Sequence, residues 1–421
     1  MRLAKLVLES GDPEGALTAL LPLLSDPAEV GSRWRPAGLV LLGQCYEARG
    51  QEGDLARAYD AYLQCWSTAP LDGTSTGAKA AMDRLADQVP VEHHPTVIDR
   101  FARAAAYHRA GHWNSTIKAL EAIADELPAD DARIACESAY YWGRSLHKRR
   151  AWSEAARRLS DALDLCADVD EELAVKATYI RAQGLARQGS TGQAIDVYLE
   201  LPARFPEHSY ADDGYFQAAL LAMDAGEIGR GRDLYSRQLS ELPDGDMFAE
   251  SSWRLAFADY RAGATADALG RVQQLAANPP EDLRRRDYLR SLYWEAKMLG
   301  WPDGEGAVVD RPDDTPGPVP DLVAAAELFA VLAEEHPLSY YGALAHSRLA
   351  AIDPAGAAAI DAALVERRGL AAVLPDLPAS WDVDRRFWAQ PEREAAVALA
   401  CAGLRDPAVA ELSRAAQRAD D

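Results

Sequence analysis

His108 and His112 stand four residues apart, the spacing that puts two imidazoles on one face of a helix and begins a metal pair. Gly111 ends the helix between them and no third ligand is near in sequence, so the pair reads as solvent-facing or internally satisfied. His93 and His94 lie beside Pro95 in a loop and read the same way. The acidic run from Asp168 to Glu172 and the pair Asp212 and Asp213 precede helical stretches, where negative charge gains from the helix dipole, so they read as capping groups. The five cysteines, Cys45, Cys65, Cys136, Cys166 and Cys401, are odd in number and scattered without a CxxC. They read as buried free thiols, with neither a zinc site nor a disulfide framework. Glycine-rich phosphate loops, nucleophile elbows and EF-hand spacing are absent from the sequence. No catalytic residue, metal site or cofactor is expected.

The aromatic residues carry more chemistry. Ten tryptophans and sixteen tyrosines include the clusters Tyr140-Tyr141-Trp142, Tyr293-Trp294 and Tyr340-Tyr341. A row of exposed rings stacks on sugars or on partner side chains, whereas the same rings at helical spacing also serve as core between helices. Tyr293, Trp294, Tyr340 and Tyr341 are the candidate ligand-binding residues, with both readings open.

The elements that must position these groups follow from a repeat. A turn followed five residues later by a small residue recurs at Gly11 and Ala16, Gly53 and Ala58, Gly189 and Ala194, Gly263 and Ala268, and more weakly at Gly226 and Gly231. Gly111 and Arg150 occupy the same register, so the turns fall at 111, 150, 189, 226 and 263, at intervals of 39, 39, 37 and 37 residues. Trp113 and Trp152 then begin equivalent second helices. Apolar residues keep helical spacing around each turn, as in Tyr215, Ala218, Ala219 and Ala222 or Trp253, Leu255, Ala256 and Tyr260. Small residues at the turn-plus-five position let two antiparallel helices approach closely. Pro27, Pro70, Pro128, Pro206, Pro243 and Pro279 punctuate the return to the next unit. The pattern predicts an all-α solenoid, a superhelix of about 20 helices stacked as antiparallel, tetratricopeptide-like hairpins.

Three stretches break the register. Residues 67–76 form a polar loop, 301–320 a proline- and glycine-rich insertion between the helices of one hairpin, and 375–391 an irregular segment before the last two helices. The expected organisation is therefore a repeat superhelix over 1–300, the insertion over 301–320, and a C-terminal helical region over 321–421 that completes it. The net charge of -22 opposes binding to nucleic acid or to an anionic membrane surface. No apolar run reaches the roughly 18 residues of a membrane span, so membrane insertion is not expected.

The second half adds a resemblance. Phe205-Pro206-Glu207-His208-Ser209-Tyr210-Ala211-Asp212-Asp213 opens a unit in the manner of periplasmic tetratricopeptide-like proteins. Ser251 to Ala256, Tyr260 to Gly263, Ser291 to Lys297, and His336-Pro337-Leu338-Ser339-Tyr340-Tyr341-Gly342 through Leu349 follow in order. Over about residues 200 to 420 this succession resembles the superhelical region of soluble lytic murein transglycosylases. The resemblance implies a periplasmic or cell-envelope location and a non-catalytic scaffold that binds or guides peptidoglycan strands. In that family a lysozyme-like domain carrying a Glu-Ser motif follows the superhelix. Glu9-Ser10, Glu137-Ser138 and Glu250-Ser251 lack that domain's second motif and lie in repeats, so no catalytic residue transfers. Both ends look cut, and the resemblance implies a catalytic domain beyond Asp421. The alternative expectation is a helical-repeat adaptor that binds another protein in envelope assembly.

Overall fold

The computed structural model describes residues 1–25, 33–128, 130–277, 285–302, 319–337 and 339–367. Among them lie nineteen α-helices and no strand, and they divide into two compact units, 1–225 and 226–421. The first unit holds α1 (Arg2–Glu9), α2 (Pro13–Ser25), α3 (Arg35–Arg49), α4 (Asp54–Thr68), α5 (Thr74–Leu85) and α6 (Val97–Arg109). It continues through α7 (Trp113–Glu121), α8 (Ala132–Lys148), α9 (Trp152–Cys166), α10 (Glu171–Arg187), α11 (Thr191–Arg204) and α12 (Tyr210–Asp224). The second holds α13 (Ile228–Glu241), α14 (Phe248–Arg261), α15 (Thr265–Ala277) and α16 (Arg285–Gly300). It continues with α17 (Leu322–Glu335), α18 (Tyr340–Ile352) and α19 (Pro354–Arg367). Each unit is an all-α stack of antiparallel hairpins of the solenoid kind, in which helices pack on their neighbours along the chain, except that α6 packs on α4 rather than on α5.

The turn of the repeat has one backbone solution. Gly11, Gly53, Gly111, Gly189, Gly226 and Gly263 all adopt φ between 75° and 89°, the left-handed region that reverses the chain without a Cβ clash. Arg150 takes the same conformation, at φ 63°, and is the non-glycine residue with positive φ among the described residues. A side chain there costs about 1–2 kcal/mol. The helices beyond each turn are then clamped together. Ala16, Ala58, Ala155, Ala194 and Ala268 are essentially inaccessible, and Thr116 fills the same position after Gly111. Within the α8/α9 hairpin a Cβ on Gly143 would stand 2.7 Å from Leu159 Cγ, so the two backbones approach as closely as a hydrogen atom allows.

Two expectations change. The polar stretch 67–76 is half helical: α4 runs to Thr68 and α5 starts at Thr74, leaving only 69–73 as the link. Asp72 makes this possible by accepting from the Thr74 amide at 2.9 Å and from its hydroxyl at 2.6 Å. The second change concerns sulfur. Cys136 and Cys166 form a disulfide, with Cα atoms 4.8 Å apart, whereas Cys45 and Cys65 are buried free thiols. The pairing is invisible to sequence spacing because the cysteines are 30 residues apart. The hairpin folds α9 back along α8 and brings the end of one beside the start of the other. Cys401 lies outside the described residues, as does the 375–391 segment and all of the 301–320 insertion except its ends. Those ends are pinned inside the second unit. Tyr260 Oη donates to the Trp301 carbonyl at 2.6 Å, the Asp321 amide donates to the Leu299 carbonyl, and α16 packs on α17.

Two measurements check this frame. Urea unfolding of Arg150→Gly is expected to show a gain of about 1 kcal/mol, and Gly189→Ala a loss of similar size, because the left-handed turn favours glycine at both. Reducing the Cys136–Cys166 bond is expected to cost about 3–4 kcal/mol of stability, the chain entropy released by opening a loop of that length. An unchanged melting temperature under reductant would contradict the pairing.

Candidate functional site

Of the four aromatic candidates, three lie against the core. Tyr293 is 4% exposed and packs on Phe329 and Tyr341. Trp294 is half-buried beside Trp253 and Phe257, and the Lys297 ammonium covers its ring at 4.8 Å. Tyr341 is half-buried against Tyr293 and Tyr340. Tyr340, at 72%, is the exposed one. The rings meet because α16 and α18 pack on each other, and three of the four have faces already occupied by neighbours. The block around Tyr340 is explained by its helix start. Ser339 caps α18 by accepting from the Gly342 amide at 2.9 Å, and a Cβ on Gly342 would strike the His336 carbonyl. Glu9, Glu137 and Glu250 are engaged by Lys5, Arg133 and the pair Arg254 and Arg290, which leaves no free carboxyl in the three Glu-Ser pairs.

A different constellation stands out in the first unit. There the first helices α6, α8, α10 and α12 pack directly on one another, so one face of the stack is a continuous row of first helices. Across α6, α8 and α10 this face opens into a groove of about 560 Å³, lined by His108, Arg109, Trp113, Tyr140, Tyr141, Arg144, Leu173 and Lys176. His108 sits at its floor, 8% exposed, stacked on Tyr141 with ring centroids 4.3 Å apart and edge-on to Trp113 at 5.6 Å. Its Nε2 has no hydrogen-bond partner, and neither does Arg144 Nε. Arg144 donates through Nη1 to Tyr140 Oη at 2.9 Å, but neither Arg144 nor Arg109 meets a carboxylate among the described residues. Lys176 is the paired cation, held 2.6 Å from Glu172.

That pattern is unusual for this chain. The buried carboxylate of Asp54 is matched by Arg49 and Arg57 at 2.8 and 2.9 Å, and that of Asp259 by Arg232 and Arg271. Arg49 first of all holds the Asp54 carboxyl below the ordinary range. A second groove of about 400 Å³ between α9, α10 and α11 contains Arg181 and Glu200, which face each other at 3.4 Å. Around His108 the structure brings together two arginines that meet no carboxylate, a buried imidazole nitrogen without a partner, and an opening to solvent.

The sequence pairing of His108 with His112 does not survive folding: His108 is buried under Tyr141, His112 is exposed at the start of α7, and no histidine joins a three-ligand cluster among the described residues. A better signal was present. His147 and Trp152 repeat His108 and Trp113 one 39-residue unit later, with rings edge-on at 4.8 Å and His147 Nε2 equally unpartnered. Of the acidic groups, Asp170 caps α10 by accepting from the Leu173 amide at 3.0 Å, whereas Asp212 and Asp213 lie inside the first turn of α12, whose cap position is Ser209.

Burial, then the charges of Arg144 and Arg109, pulls His108 from 6.5 down to about 4. Burial, then Arg187, Lys148 and Arg144, does the same to His147. The unfolded chain takes up these protons near pH 6.5 while the folded chain resists them to about pH 4. Stability from neutral imidazole is therefore complete above that window and lost as pH falls through it. The urea midpoint is expected to drop across the window, and the double substitution His108→Gln and His147→Gln is expected to flatten the drop.

No family model matches the chain and no curated protein matches it. Solved structures do. The apo form of RapI is 10% identical at a TM-score of 0.42, over 99% of this chain and 97% of its own. A signal transduction ATPase with a tetratricopeptide repeat sensor from Pyrococcus horikoshii is 11% identical at 0.39, over 81% of this chain and 55% of its own. Human IFIT1 with m7Gppp-AAAA is 12% identical at 0.34, over 100% and 81%.

Proposed function

We propose that this chain is a helical-repeat adaptor that binds a polypeptide segment along the first-helix face of its first unit. The observation that supports this most is the groove across α6, α8 and α10, where the buried His108 Nε2 and the Arg144 Nε have no partner inside the protein. A buried donor without an acceptor costs about 1–3 kcal/mol, and a bound acceptor from outside relieves it. An extended peptide offers such an acceptor at every residue, together with side chains for the half-buried Trp113 and Leu173 to pack on.

The resemblance of residues 200–420 to the superhelical region of lytic transglycosylases would turn the scaffold toward peptidoglycan strands. One observation favours polypeptide over glycan. Sugar stacking needs open ring faces, and Tyr141 already stacks on His108, while Tyr293, Trp294 and Tyr341 pack on neighbours. The Cys136–Cys166 disulfide supports an oxidising, extracytoplasmic setting, where such bonds persist.

Calorimetric titration of the full chain with a panel of extended peptides (acidic, neutral and basic) and with glycan strands stripped of their stems separates these readings. At least one peptide class is expected to bind saturably and the glycan not. Binding of glycan with no response to any peptide would overturn the adaptor reading.

A further inference from the structure

We propose that the groove seats a carboxylate of an acidic, apolar-flanked polypeptide segment, with Arg109 and Arg144 as its counter-charges and His108 Nε2 as its buried donor. The inference rests on the adaptor reading and names the chemistry of the partner. Three helices deliver cations to one opening: Arg109 from the last turn of α6, Arg144 from α8 and Lys176 from α10. Glu172 occupies Lys176 and Glu137 faces the Tyr141 hydroxyl at 3.3 Å, so the two arginines are the charges left for a ligand. Guanidinium groups suit a carboxylate because their planar fork of donors matches its two oxygens. Half-buried Trp113 and Leu173 form the apolar walls, which favours an apolar residue beside the acid.

Nucleic acid is the other anion to consider. The chain carries 66 acidic against 44 basic residues, and Glu137 and Glu172 flank the groove itself, so a run of phosphates meets repulsion on either side. A single carboxylate between apolar neighbours does not.

Binding would also move a proton. In the free protein burial, then the charges of Arg144 and Arg109, disfavours the charged imidazole of His108. A carboxylate entering the groove offsets part of that positive charge and raises the affinity of the imidazole for a proton. Proton uptake then accompanies binding, and by linkage the affinity rises as pH falls toward about 5.

Fluorescence anisotropy of the full chain with a labelled Glu-Phe-rich peptide and its Gln-Phe twin tests this. The Glu peptide is expected to bind about tenfold tighter than its twin, and severalfold tighter at about pH 5.5 than at neutrality. Arg144→Gln, and independently the exposed Arg109→Gln, is expected to remove most of that preference, while His108→Gln is expected to weaken binding of the Glu peptide severalfold at neutrality and to abolish its pH dependence. Equal binding of the twins, or a pH response that survives His108→Gln, would overturn the carboxylate site and leave the adaptor reading standing. A single-stranded DNA oligonucleotide that outcompetes the Glu peptide would also overturn it. Silence toward both peptides, with another peptide class bound, would do the same.

Discussion

The close approach of two antiparallel helices after a left-handed turn is the constraint on which the rest depends. The turn fixes where the chain reverses, and the inaccessible alanine five residues later fixes how near the second helix comes. Once that distance is set, the apolar faces of successive hairpins have one arrangement that hides them, each against the next. Gly143 against Leu159 marks the tightest contact found in the α8/α9 hairpin. Larger residues at these positions would spread the pair and open the core on both sides.

The same constraint builds the groove. First helices pack on first helices through the first unit, so side chains from successive hairpins are carried to one common face. His108 belongs to one hairpin and Tyr141 and Arg144 to the next, yet they line one opening because α6 and α8 are neighbours in that row. The hairpins satisfy buried carboxylates such as Asp54 and Asp259, which makes buried donors without partners informative where arginines also line an opening. A core designed only for stacking would pair them or omit them.

The architecture was legible because it is local and periodic. Turn positions, including Arg150 in a glycine's place, read directly from the 37- to 39-residue intervals, and Trp113 and Trp152 begin the helices assigned to them. Features that depend on contacts between elements were not. The Cys136–Cys166 bond joins opposite ends of a hairpin, so spacing alone says nothing of it. The start of α5 rests on a side-chain cap from Asp72 that overrides the loop-like composition of its neighbours. Tyr293 and Trp294 share residue types with a ligand face but lie where α14, α16 and α18 converge, and aromatic content cannot distinguish a wall from a core. The groove was hidden for the same reason, since its cations come from three helices and none is adjacent to another in sequence. Its one sequence trace, histidine and tryptophan recurring in step with the repeat, is a pattern between units rather than within one.

A partner segment on the first-helix face of the first unit, and not on the second helices, is what the proposed adaptor requires. Photo-cross-linking with a benzophenone-bearing acidic peptide, followed by mass-spectrometric mapping of the adducts, examines that requirement at its source. Adducts confined to α6, α8 and α10 near Tyr141 and Leu173 are predicted. Adducts concentrated on α7, α9 and α11, or spread evenly over both units, would contradict it.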